Sequence, residues 1–139
     1  MRLKLYFITL IAFLGIDSFW LGFVAPSFYR SQIGHLMAEN PNFVAAGIFY
    51  LLFVYGLLVF VVEPSIRSES LWNAVMTGGF FGLVTYATYD LTNFATLENW
   101  SLLVTVVDMA WGTILCSLVT FVSVSVGKRL MNPEQDSGQ

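Results

Sequence analysis

No lysine, arginine or histidine falls within any of the four long apolar stretches of this 139-residue chain, which run over about 5–25, 43–62, 71–93 and 102–126. Without an amine at membrane depth, a retinal-type Schiff base is excluded, because that chemistry needs a lysine nucleophile. The single cysteine, Cys116, excludes an internal disulfide and a cysteine-rich metal cluster, and the single histidine, His35, excludes a bis-histidine haem site within one chain. Charged residues make up only 11% of the chain, with a formal net charge of -3, so there is no basic field to attract nucleic acid. Phosphate loops, dinucleotide fingerprints and histidine-rich metal motifs are also missing. No cofactor is evident and no metal site is expected.

What the chain has instead is apolar surface. Apolar residues are 57% of it, aromatics 17%, and its mean hydropathy is +0.73, well outside the range of soluble globular domains. Each of the four stretches reaches the roughly 20 residues a helix needs to cross about 30 Å of hydrocarbon. Barrel strands would alternate over about ten residues, whereas these runs are continuously apolar and about twice as long. The expected fold is therefore all-α: a polytopic membrane protein with four transmembrane helices in an up-down bundle, forming one domain over residues 1–131. The polar segment 132–139 lacks apolar content and is expected to be disordered. "MRLK" before an apolar run imitates a signal peptide, but the run is too long and contains Asp17 and Trp20, so it reads as the first helix.

Five of the six basic residues, Arg2, Lys4, Arg67, Lys128 and Arg129, lie at the ends or in the second connection, with only Arg30 in the first. The positive-inside rule then puts both termini in the cytoplasm of an inner-membrane protein. Trp72 and Trp100, near segment ends, read as interfacial anchors. The first outer loop can form a short interfacial helix, with Ile33, Leu36 and Met37 on one face and Arg30, His35 and Glu39 toward water. Glu63-Pro64 is expected to end the second helix, and "TLENW" is short enough to make the third and fourth helices antiparallel neighbours.

Residues 85–113, "TYATYDLTNFATLENWSLLVTVVDMAWGT", contain two aspartates and no basic residue. Counting from the loops, Asp90 lies about eight residues before the third loop's middle and Asp108 about ten after it. Asp17 lies about 12 Å below the outer end of the first helix. All three converge on the outer half of the bilayer, where unsatisfied they would together cost roughly 8–10 kcal/mol. They must face one another, polar neighbours or water. Tyr86, Asp90 and Asn93 form one helical stripe; Thr105, Asp108, Gly112, Cys116, Thr120 and Ser123 form another. Trp20 shares a face with Asp17, and the echo between "DSFW" and "DMAW" puts Trp111 three residues after Asp108. Gly78, Gly82 and Gly112 fit the small-residue spacing that lets helix backbones approach. Tyr50 and Tyr55 read as ordinary interhelical hydroxyls.

The candidate pocket is therefore Asp17, Asp90, Asn93 and Asp108, edged by Trp20, Tyr86 and Trp111. Desolvation and mutual repulsion favour a shared proton there, or a bound cation in its place. Three roles are open: proton- or cation-coupled transport of a small solute, an enzyme using carboxylate acid-base chemistry on a lipid or other apolar substrate, and an accessory subunit. The lipid bilayer is the expected environment, and a homodimer or a partner membrane protein would be needed for transport, because four helices enclose little volume. Together "TYDLTNFATLENW", "VDMAWGT", "APSFYRSQIGHL" and "IFYLLFVYG" give the chain a resemblance to the small predicted membrane proteins grouped as domain-of-unknown-function family 2177. The likeness runs from the first helix to the end of the fourth. It implies a four-helix bacterial inner-membrane protein and implies no activity.

Overall fold

In the computed structural model, which describes residues 1–132, each apolar run becomes a helix. α1 covers Arg2–Phe23, α2 Ala25–Ile33, α3 Phe43–Ile66, α4 Leu71–Thr96 and α5 Leu102–Met131; no strand occurs among the described residues. The polar tail expected beyond Asn132 lies outside the described residues. Three helices, α1, α3 and α5, are long and apolar enough to cross a membrane. α4 is as long, its 26 residues rising about 39 Å. It is less apolar, because Asn73, Thr77, Thr85, Asp90 and Asn93 are spread along it, so length and composition alone mark three spans where the sequence pattern predicts four.

Side-chain caps set three helix starts. Asn42 Oδ1 accepts from Ala45 N, Ser70 Oγ from Asn73 N, and Ser101 Oγ from Val104 N, each satisfying one of the unpaired N–H groups of a first turn. The tight link between α4 and α5 uses Asn99 at φ 61°, a left-handed conformation that asparagine tolerates better than most residues. α3 does not stop at Glu63-Pro64. It runs on to Ile66 through a π turn at Leu58–Val62. Pro64 offers no N–H and crowds the carbonyl four residues back, and the widened ladder over that turn absorbs both.

The short helix of the first connection sits earlier in register than the apolar stripe suggests. Val24 alone separates α1 from α2, and Pro26, in the first turn of α2, is preorganised for a helix start. The chain then tightens into a 3₁₀ turn at Gly34–Leu36, so Ile33, Leu36 and Met37 do not share one face: Ile33 is buried, while Leu36 and Met37 are exposed. Ile33 packs with Trp100 and Val104, and Ser101 Oγ donates to Gln32 Oε1 at 2.8 Å, which ties α2 across the α4–α5 link. Trp100 is accordingly buried rather than a headgroup anchor, its Nε1–H donating to Thr105 Oγ1 at 3.1 Å; Trp72 is exposed.

At the opposite end Arg2 donates to both Glu63 oxygens, at 2.5 and 2.9 Å, and Lys128 Nζ donates to the Ser68 carbonyl at 2.6 Å. These contacts bring the start of α1, the end of α3 and the end of α5 to one side, so successive long helices run in opposite directions. Between α4 and α5 the backbones approach at glycines. A Cβ on Gly78 would run into Thr120, one on Gly82 into the Gly112 carbonyl, and one on Gly112 into the Tyr86 ring. The same seam includes Gly79, against Ser117, which the small-residue spacing did not single out.

Candidate functional site

Helical spacing delivers two aspartates to the bundle interior. On α1 the buried residues are Leu5, Thr9, Phe13 and Asp17, one every four positions, so Asp17 ends the inward-facing stripe. On α5 Thr105, Asp108, Gly112, Cys116, Thr120 and Ser123 are all buried along one seam. Asp17 and Asp108 line one cavity, and Asp90 lies beside Asp108.

The two D-x-x-W segments answer each other. Trp111, three residues after Asp108, donates Nε1–H to Asp17 Oδ1 at 3.1 Å. Trp20, three residues after Asp17, donates to the Tyr29 hydroxyl at 3.1 Å, and Tyr29 donates in turn to Asp108 Oδ1. The two indoles stack, with ring centroids 4.5 Å apart and planes 8° from parallel. Tyr50 completes the set by donating to Asp17 Oδ2 at 3.0 Å. Each oxygen of Asp17 therefore has a donor, and Asp108 has one donor, without a basic residue in the group. Burial, and then the Asp108 carboxylate, push the Tyr29 phenol well above its ordinary range, which keeps it a proton donor to Asp108.

Asp90 is different. It is fully buried, no N–H or hydroxyl group donates to either carboxyl oxygen, and the polar group beside it is the Asp108 carboxyl. Leaving a buried polar group unpaired costs about 1–3 kcal/mol, and an ionised one costs more. Its neighbour Asp108 is a second carboxyl group rather than a cation.

Two cavities meet at Asp108. One, of about 330 Å³, is lined by Asp17, Trp20, Tyr29, Tyr50, Tyr86, Tyr89, Asp108 and Trp111 with Leu21, Ile33 and Val104. The other, of about 540 Å³, lies between α3 and α4 and is lined by Phe49, Phe53, Thr85, Tyr86, Thr88, Tyr89 and Asp108. Phe49, Thr88 and Tyr89 are exposed, so this second groove reaches the flank of the bundle. Tyr86, Tyr89 and Asp108 belong to both.

Of the residues expected from the sequence, Asp17, Trp20, Tyr86, Asp108 and Trp111 line the smaller cavity. Asp90 packs behind Asp108 without lining either cavity, and Asn93 lies in neither and has no side-chain hydrogen bond. Tyr29, Tyr50 and Tyr89 are additional members that the pattern of carboxylates did not reveal. A chemical signal for them existed: two buried carboxylates with no cationic partner need neutral donors, and tyrosine is the donor this chain has in quantity. His35 is exposed, at a shallow surface depression with Arg30, Met37 and Glu39, away from the carboxylates. Among the described residues no three histidine, cysteine, aspartate or glutamate side chains are grouped to hold a metal ion.

The family described as "Predicted membrane protein (DUF2177)" matches residues 2–125, which takes in α1 to α4 and α5 as far as the last residues of its buried seam. No curated protein and no solved structure is similar to the chain at a significant level.

Proposed function

Starting from a chain that belongs to the DUF2177 family of predicted membrane proteins, we propose that it is a four-span inner-membrane protein whose outward-biased pocket exchanges a proton or cation for a small solute. The observation that carries this is Asp90: a carboxyl group with no exposed surface, no hydrogen-bond donor and an acidic neighbour. Such a group holds a proton or a bound cation, because the bare charge has nothing to offset its desolvation. Asp108, with a single protein donor, and the cavity beyond it provide a route for that proton to leave when a solute arrives.

Four spans follow from treating α4 as the partner of α5. Its threonines donate back along the helix, Thr77 to the Asn73 carbonyl, Thr85 to Phe81 and Thr88 to Val84, each at 2.8 Å. Hydroxyls satisfied in this way tolerate hydrocarbon, so the lower apolarity of α4 does not keep it out of a bilayer. With five of six basic residues at the end holding Arg2, Arg67 and Lys128, both termini are cytoplasmic. The groove between α3 and α4 leaves the site open on one flank, and a second copy or a partner membrane protein would close it into a pathway.

The test is infrared difference spectroscopy on the reconstituted chain, read with a proton-sensitive dye. A carboxylic-acid band that persists well above the ordinary aspartate value of about pH 4 and is lost in Asp90→Asn supports the reading. A wild-type spectrum with only carboxylate bands at neutral pH refutes it.

The apolar groove favours one second reading: acid-base chemistry on the polar end of a lipid whose chain lies between Phe49, Phe53 and Thr88. Lipid profiles of cells with and without the gene decide it, and identical profiles under several growth conditions rule it out.

A further inference from the structure

The smaller cavity has a distinctive wall. Six of its eleven lining residues are Trp20, Tyr29, Tyr50, Tyr86, Tyr89 and Trp111; two more are carboxylates, and none is basic. The polar hydrogens of four of these aromatics are already committed within the site, those of Trp111 and Tyr50 to Asp17, of Tyr29 to Asp108 and of Trp20 to Tyr29. A guest in the cavity therefore meets aromatic rings and carboxylate oxygens, and few free donors. An anion finds little to hold it there. A neutral guest leaves the carboxylates without the water they lose. A cation is complemented twice, by the negative ring faces and by the carboxylates.

Asp90 adds an independent sign. It lies beside Asp108, is completely buried and receives no N–H or hydroxyl donor on either oxygen, so the acidic side of this site is under-compensated by the protein itself. Size narrows the class. A volume of about 330 Å³ corresponds to roughly eleven waters at about 30 Å³ each, room for an organic molecule of several heavy atoms. A bare metal ion would want converging ligands, and no three such side chains are grouped among the described residues.

We propose that this cavity binds an organic ammonium ion, held against Asp17 and Asp108 and enclosed by the six aromatic side chains. The proposal rests on the exchange function above and names the chemical class of its solute: a primary to quaternary amine small enough to fit between the paired indoles and Tyr86. The aromatic box supplies selectivity for charge over shape. Asp108, having only one protein donor, is the carboxylate with capacity left for the guest.

The test uses the full chain in nanodiscs and two probes of nearly the same shape, choline and its uncharged carbon analogue 3,3-dimethylbutan-1-ol, followed by tryptophan fluorescence and calorimetry. Choline should bind saturably and at least tenfold more tightly than the analogue. Asp108→Asn should weaken choline at least tenfold without altering the weak binding of the analogue, and Trp72→Phe, at an exposed site remote from the cavity, should change neither. Should Asp108→Asn prove poorly folded, Trp20→Phe keeps a ring in place and should still weaken choline severalfold. Equal binding of the two probes, or no saturable binding of either choline or tetraethylammonium to folded protein, overturns the proposal. The two claims fail separately: an Asp90-dependent acid band without ammonium binding removes this solute class and leaves proton exchange, whereas ammonium binding without that band keeps this site and removes proton exchange.

Discussion

The half of the bundle that holds Arg2 and Glu63 and the half that holds Asp17 and Asp108 handle space and charge in opposite ways. In the first Val54, Leu57, Leu58, Val61, Val62, Leu115 and Val119 are almost completely buried against one another, and the charges of Arg2 and Glu63 pair at the surface, where water shares the load. In the second aspartates are buried without any basic partner, aromatic side chains replace aliphatic ones, and cavities of about 330 and 540 Å³ remain between the helices. A close-packed interior is stable and has nothing to bind with. The open half carries the cost of unfilled volume and of a carboxyl group without a donor, a pattern expected where stability has been traded for a task. Within that half, Asp17 and Asp90 form a sharper contrast: both are buried carboxyls, one with a donor on each oxygen and one with none.

Substitutions can break this contrast in graded steps. The largest effect belongs to the glycine seam. Gly82→Ala puts a methyl group against the Gly112 backbone carbonyl, which cannot rotate away, so unfolding in mixed micelles should show a loss at or above the upper end of the about 1–3 kcal/mol typical of overpacking. Next comes Asp17→Leu, which strands the Tyr50 hydroxyl and the Trp111 indole N–H and should cost about 1–3 kcal/mol in the same assay. Asp90→Leu should go the other way, leaving stability unchanged or raised by about 1 kcal/mol, because no partner is orphaned and a desolvated carboxyl is removed. If Asp90→Leu destabilised the bundle as much as Asp17→Leu, the distinction between the two would be lost. Smallest is Arg2→Gln: the pair with Glu63 is solvent-exposed, and the unfolding midpoint should not move measurably.

Much of this was legible from residues alone, for physical reasons that can be named. Helix starts at 43, 71 and 102 follow from Asn42, Ser70 and Ser101, local signals that tertiary packing had no reason to override. Counting 1.5 Å steps away from short loops put Asp17, Asp90 and Asp108 at one level along their helices, and Asp17 and Asp108 do line one cavity with Asp90 beside Asp108. The mutual bonding of the two D-x-x-W segments was foreshadowed only as an echo, since sequence spacing gives a face and a depth but no rotation of one helix against another. Tyr29 was out of reach for a related reason: it arrives at Asp108 because Pro26 restarts the helix one residue after α1 ends, and that turn is a three-dimensional fact. Asn93 shows the limit of stripe arguments. It shares a helical face with Tyr86 and Asp90, yet by that point α4 has passed the cavity.

The central claim is that Asp90, and not Asp17, holds the exchangeable proton or cation of the half that contains the aspartates. Its most direct measurement is a pair of infrared difference titrations, on Asp17→Asn and Asp90→Asn in lipid. The account predicts that the carboxylic-acid band of the wild type survives the first substitution and disappears in the second. Loss of the band in Asp17→Asn with retention in Asp90→Asn would contradict it.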